Sequence, residues 1–186
     1  MNAPRTPAHA QPASLRLRTL AVADLTAANA VVERAVMGWA LAERVKRLAL
    51  PCYRYHPHDL LHMAGVVAED ARGALVGVAM RDEAEPLDTP AGQRGLLLHG
   101  LYVDPAHQRA GIGSRLLDAV ADAARAAGYD GLLVKAQADA IGFFAARGLA
   151  CLPVNDPARD YPHRYWMALT RAAGSGPALH HGPPGG

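Results

Sequence analysis

Seven residues, Gln108-Arg109-Ala110-Gly111-Ile112-Gly113-Ser114, carry the most specific chemistry in this sequence. Two glycines let a main chain approach a ligand with no Cβ in the way. A helical pattern opens here, and a helix start presents unpaired N–H groups and a partial positive charge. Together these make a cradle for phosphate. Two common phosphate signatures fail on residue identity. A P-loop needs Lys after its last glycine, where Ser114 stands, and a dinucleotide turn needs a third glycine where Leu116 stands. Taken alone, the seven residues suit a phosphate site and a glycine turn that holds nothing equally well. His56, His58 and His62 form a second cluster, of metal-ligating type. Only Cys52 and Asp59 lie near enough in sequence to complete a coordination shell, so no metal is expected.

The surrounding pattern describes what must hold the glycine turn. Leu96–Val103 reads as a strand dense in Leu, followed by a turn at Asp104-Pro105-Ala106-His107. From Gly111 to Ala127, Ile112, Leu116, Val120 and Ala124 recur on one helical face, with Arg115, Asp118, Asp122 and Arg125 on the solvent side. Gly128 closes that helix as a C′ residue. Upstream, Leu15–Leu20 alternates as a half-buried strand, and Asp24 is placed to N-cap a helix running to Met37. A second helix, Trp39 to Leu50, is expected to stop at Pro51, with 52–61 a loop or short irregular helix. His62–Glu69 and Ala74–Arg81 read as a hairpin turning at Asp70–Gly73, and Asp82–Asp88 as a solvated acidic loop. Downstream come a strand at Leu132–Ala136, a short helix at Asp139–Arg147, and strands at Leu149–Val154 and Tyr165–Leu169. This order predicts one α/β domain with a mixed sheet.

Composition narrows the class of protein. The chain has 186 residues, 51% hydrophobic and 19% charged, with a net charge of +2. That is too apolar for overall disorder, and its basic residues form no footprint for nucleic acid. No apolar run approaches membrane-spanning length, and the N-terminus lacks the apolar core of a secretory signal. Cys52 and Cys151 are too few for a disulfide framework and are expected to be reduced, packed as small hydrophobes. A cytoplasmic enzyme or binding domain remains. The chain holds 18 Gly and 14 Pro, concentrated at its ends. Residues 1–13 and 173–186 are therefore read as flexible tails around a domain at 14–172, and His180-His181 in the second tail carries no weight.

The Leu-rich strand, Val103-Asp104-Pro105, the run Gln108-x-x-Gly111-x-Gly113 and the amphipathic helix together resemble the GNAT superfamily of N-acetyltransferases. Its signature at this turn is Gln/Arg-x-x-Gly-x-Gly/Ala. A second block, Asn-x-x-Ala-x-x-Phe-Tyr-x-x-x-Gly-Phe, is matched at Ala140, Phe143 and Gly148. Gln137, Phe144 and Leu149 depart from it, and the resemblance covers about residues 14–170. It implies a mixed, splayed central sheet with helices on both faces, of the acyl-CoA N-acyltransferase type, and acetyl-CoA as co-substrate. The N–H groups of Arg109, Ala110, Gly111, Ile112, Gly113 and Ser114 would then wrap the pyrophosphate, behind Gln108. Leu101 and Val103 would offer backbone to the pantetheine and thioester, and Gly100 would mark the bulge that splays the sheet.

The implied reaction is direct attack of a primary amine on the thioester. A Lys-like amine, with pKa about 10.4, must lose a proton at pH 7. His99 lies on the Leu-rich strand where some members of the family place a base, and an ordinary pKa near 6.5 suits it. The family's thiolate-protonating Tyr is replaced by Phe144. A thiol with pKa about 8.5 leaves tolerably unaided, or Tyr161 or Tyr165 reaches in instead. Trp39, Tyr53, Tyr55 and Asp156–Arg164 fall where this family shapes its acceptor pocket. Asp156 and Asp160 could attract an amine, although solvated loop carboxylates are the simpler reading. The acceptor, a small molecule or peptide, is not specified by any motif, and a homodimer is open. A non-catalytic acyl-CoA-binding or regulatory module is the alternative favoured by the missing Tyr, and an interaction protein with no CoA site is the third.

Overall fold

The computed structural model describes residues 15–170; both tails lie outside the described residues. Seven strands form one sheet in the order β1-β2-β3-β4-β5-β7-β6. They are β1 (Arg16–Thr19), β2 (Ala64–Glu69), β3 (Leu75–Glu83), β4 (Gly95–Val103), β5 (Gly131–Lys135), β6 (Ala150–Cys151) and β7 (Arg164–Ala168). Every pairing is antiparallel except β4 with β5. Helices α1 (Leu25–Met37) and α2 (Glu43–Tyr53) cover one face, and α3 (Ile112–Ala126) and the short α4 (Ile141–Ala146) the other. The expected mixed, splayed sheet with helices on both faces is the observed architecture.

Apolar periodicity decides which face each helix buries. On α3, Leu116, Leu117, Val120, Ala121 and Ala124 are almost fully buried against Val76, Leu96, Leu98, Leu132 and Val134. A buried Leu contributes about 1.5–3 kcal/mol through removal of its surface from water. On α1, Ala28, Val31, Val32 and Val36 pack on Val67, Val78, Met80 and Tyr102. Gly128, with φ +74°, ends α3 as the sequence predicts.

The splay follows from two features of β4. Its parallel pairing with β5 runs only from Gly95 to Leu98, opposite Gly131 to Val134. Against β3 the register shifts at the same level: Met80 faces Gly100 and Arg81 faces Leu98, so His99 is the extra residue of a bulge. The strand Gly100–Val103 therefore runs on with no strand partner on its β5 side.

Several local expectations give way to tertiary packing. Pro51 lies inside α2, which begins at Glu43 and runs on to Tyr53. Leu50 is buried and Tyr53 packs on the α1 cluster, which carries the last turn past the proline. Asp24 does not cap α1 through its side chain. Its carboxylate accepts Arg18 at 2.6 and 2.8 Å and the Ala21 N–H at 2.8 Å, closing a single 3₁₀ turn before the helix. β3 extends through Asp82 and Glu83, which pair with Leu97 and Leu96, so the acidic loop starts later than expected. The strand expected at Leu149–Val154 is reduced to two residues. Pro153 has no N–H to extend the ladder, and its carbonyl accepts the Arg164 guanidinium instead. Cys52 and Cys151 are free but exposed, contrary to the expected packing.

Candidate active site

The glycine turn is anchored before it bends. Asp104 accepts the Ala106 N–H at 3.0 Å and the Arg34 Nε at 2.6 Å, which pins α1 to the end of β4. Burial pushes the Asp104 carboxyl up, but the Ala106 N–H and Arg34 outweigh it and hold the pKa below the ordinary value. Gln108 then reaches back with its amide to the Val103 carbonyl at 3.4 Å.

Two residues of the turn are left-handed. Gly111 has φ +78°, and Arg109, with φ +62°, is the one non-glycine residue with positive φ among those described. Such a conformation costs an L residue about 1–2 kcal/mol and points to a functional constraint. Arg109, Ala110 and Gly111 are exposed. The first carbonyl taken up by α3 is that of Gly111, bonded by the Arg115 N–H at 3.1 Å. The amides of Ile112, Gly113 and Ser114 therefore stand ahead of the helical ladder at the positive end of a 15-residue helix. Left-handed kinks, free amides and a helix dipole fit a pyrophosphate.

These amides open on a cleft of about 710 Å³. Leu101, Val103, Gly113 and Phe143 line it, and Ala35, Gly38 and Trp39 from the end of α1 form a wall that the sequence reading did not assign to this ligand. A second cavity, of about 210 Å³, contains His99, Tyr53, Gln137 and Phe144. The two are contiguous: Trp39, Leu101, Asp139, Ala140 and Phe143 line both. All nine expected ligand-binding positions except Ala110 line the larger cleft, and Ala110 is an exposed member of the same turn.

His99 is exposed as a residue, and its Nδ1 lies 3.2 Å from the Tyr55 hydroxyl. Burial around the ring lowers its pKa below 6.5, against the opposing pull of Asp82 and Asp59. The imidazole is therefore neutral at pH 7 and able to accept a proton.

Neither expected tyrosine enters the cavities. Tyr165 is buried beneath α3, and its hydroxyl neighbours Cys151. Tyr161 donates to the Ala136 carbonyl at 3.1 Å. Two other tyrosines, Tyr102 and Tyr53, line the smaller cavity; the Tyr53 oxygen accepts from the Gln137 amide at 3.2 Å, and its ring meets Trp39 edge-on. Phe144 is buried in the wall of that cavity. Asp160 is not a solvated carboxylate. The Asp156 and Asn155 amides bond it at 3.1 and 2.9 Å, and Arg164 pairs with it at 2.8 Å. Its role is to shape the loop before β7. His56 and His58 stack on each other, while His58 pairs with Asp59 at 3.2 Å. Among the described residues no three His, Cys, Asp or Glu side chains converge as metal ligands, and no helix is long and apolar enough to cross a membrane.

The acetyltransferase (GNAT) family model matches residues 31–149. No curated protein matches the chain in sequence. Among solved structures, a GNAT family acetyltransferase from Brucella melitensis, in complex with acetyl-CoA, is 18% identical with a TM-score of 0.60, over 84% of this chain and 89% of that one. The PaiA N-acetyltransferase from Thermoplasma acidophilum, in complex with coenzyme A, is 17% identical with a TM-score of 0.60, over 83% and 97%. A GCN5-related N-acetyltransferase from Rhodopseudomonas palustris is 21% identical with a TM-score of 0.63, over 87% and 99%.

Proposed function

The chain belongs to the GNAT acetyltransferase family and uses acetyl-CoA as co-substrate; from that premise we propose that it acetylates the primary amine of a small molecule or peptide by direct attack, with His99 as the base. The observation that carries this reading is the contiguity of the cleft at the glycine turn with the cavity holding His99. One end has free amides for the pyrophosphate. The other has a neutral imidazole beside a pocket large enough for a small amine.

Acetyl-CoA supplies the electrophile, an acetyl group on a thioester. The amides of residues 109–114 hold its diphosphate, and the unpaired edge of β4 at Leu101 and Val103 adds its chain as a further strand. His99 takes at Nε2 the proton that the attacking nitrogen sheds, because Nδ1 is already engaged with Tyr55. Tyr53 holds at its phenol oxygen the proton that a departing sulfur needs. Burial holds the Tyr53 phenol above its ordinary pKa, opposed only in part by the donated Gln137 amide, so the proton stays on the oxygen until the sulfur departs.

The test is thiol release. CoA should appear only when an amine is present. His99→Ala should lower kcat by about 10²–10⁴, the usual worth of a general base, while acetyl-CoA affinity is unchanged. One observation favours a second reading: Phe144, at the position of the family's acid, has no proton to give. Tight acetyl-CoA binding with no thiol release across a broad amine panel would establish a binding or regulatory module instead.

A further inference from the structure

Tyr55 neither gives nor takes a proton in the reaction above, yet three segments converge to hold its hydroxyl in one place. The residue is only 3% exposed. Asn29 on α1 clamps its backbone from both sides, donating to its carbonyl at 2.8 Å and accepting its N–H at 2.9 Å. On β4, a Cβ at position 100 would collide with the Tyr55 hydroxyl and the Tyr102 ring, so Gly100 gives that hydroxyl its space. The bulge then presents His99 beside it, with Nδ1 3.2 Å from the phenol oxygen and the rings 5.8 Å apart. Packing alone does not ask for this. A phenylalanine would bury the same ring without the cost of a desolvated hydroxyl.

Resting on the reading of His99 as base, we propose that Tyr55 is its positioning residue, accepting the Nδ1–H and so holding the imidazole in the tautomer whose Nε2 lone pair is free. A neutral imidazole has one donor and one acceptor nitrogen, and the partner of the first decides the second. The phenol has one proton to direct, and in this arrangement it points toward Tyr102, whose ring borders the same space at Gly100. That leaves the Tyr55 lone pairs for Nδ1–H. Burial is the main cause that holds both phenols above the ordinary tyrosine range, and the two are electrostatically coupled. Burial keeps Tyr55 neutral, so the bias on His99 is constant across the working pH range. The charged and titratable groups acting on His99 are Asp82 on β3, Asp59 and His62 before β2, and Lys135 at the end of β5. None of these is its partner at Nδ1.

The tautomer can be read directly, without turnover. Long-range proton–nitrogen NMR of the ¹⁵N-histidine-labelled full chain, with His99 assigned by its loss in His99→Gln, should give a protonated Nδ1 and a bare Nε2. In Tyr55→Phe the proton should move to Nε2. In the same variant kcat should fall about tenfold, a fraction of what a general base supplies, with acetyl-CoA affinity unchanged. A wild-type spectrum with the proton on Nε2 overturns the proposal, and decides the matter even if Tyr55→Phe fails to fold. So does a variant spectrum identical to wild type. Should the spectra behave as expected while His99→Gln stays fully active, the positioning stands and the base assignment falls.

Discussion

Replace Gly111 with alanine, and the added methyl meets nothing within 4 Å. The whole cost is then in the backbone, which at φ +78° lies where an L residue loses about 1–2 kcal/mol. Part of this returns because alanine restricts the unfolded chain, by about 0.4–1 kcal/mol. A net loss of about 1 kcal/mol should lower the Tm by about 2–4 °C in a chain of this length. Gly113, two residues on, gives the opposite sign. It lies within α3, and its Cβ would find Phe143 and Val103 at 3.5–3.7 Å, ordinary contact distances. Alanine there should gain about 0.5–1 kcal/mol from helix propensity and raise the Tm by about 1–4 °C.

Calorimetry with and without acetyl-CoA separates the fold from the site. A ligand at one hundred times its Kd adds about 2.7 kcal/mol to stability. Relaxing Gly111 out of the left-handed region turns the neighbouring amides away from a shared centre. Gly111→Ala should therefore weaken acetyl-CoA binding at least about tenfold, removing about 1.4 kcal/mol of that ligand-induced gain. Gly113→Ala should keep it. If Gly111→Ala retains both the wild-type Tm and the wild-type response to acetyl-CoA, the left-handed turn is not what holds the ligand. A loss of stability in Gly113→Ala would mean that α3 does not open where described.

Other perturbations address the remaining parts of the site. Above its depressed pKa, His99 is a free base, so kcat should rise from acid pH and level off with a midpoint below 6.5; a pH–rate profile in which His99→Gln keeps that limb assigns it to another group. Tyr53→Phe removes the phenol proton but keeps the ring against Trp39, and should lower kcat about tenfold with no change in acetyl-CoA affinity, measured by stopped-flow thiol release and titration calorimetry. Asp104→Asn keeps an oxygen for the Ala106 N–H but loses the charge that pairs with the half-exposed Arg34, and should cost up to about 1 kcal/mol. The Asp104 pKa is lower folded than unfolded, so its contribution is full above about pH 4. The Tm gap between wild type and variant should be complete at pH 7 and close as the pH falls through the folded value.

What could be read from the sequence was local. Gly111, the amphipathic stripe of α3 and the C′ Gly128 each act within a few residues, and each stands where expected. Pro51 and Asp24 carried equally local signals and misled, because Leu50 and Tyr53 find a core that outweighs the proline, and Arg18 claims the carboxylate of Asp24. Ala35 and Gly38 have no side-chain chemistry to announce them; their place in the cleft depends on the Arg34–Asp104 pair, 70 residues apart in sequence. Asp160 left a trace that was missed: Arg164 lies four residues on, a spacing at which a carboxylate and a guanidinium can meet, and they do at 2.8 Å.

The least legible feature is the one on which both halves of the site depend. Leu96 and Leu98 face α3, and strict alternation would send Gly100 and Tyr102 after them. Instead Leu101 and Val103 pack toward α3, while Tyr102 joins the α1 cluster. One extra residue, His99, accounts for the reversal. Alternation from Leu98 already puts His99 on the Tyr55 side of the sheet, with its ring in the smaller cavity, and by shifting the register the bulge gives Tyr102 the same face. The pairing of β4 with β5 ends at the residue before it, which frees the strand edge offered to the co-substrate. A glycine in a strand could mark such a bulge but not which neighbour is extruded, because that depends on the register of β3, some twenty residues away in sequence. The face of Tyr102 and the open strand edge thus both follow from one inserted residue, and the base is that residue itself.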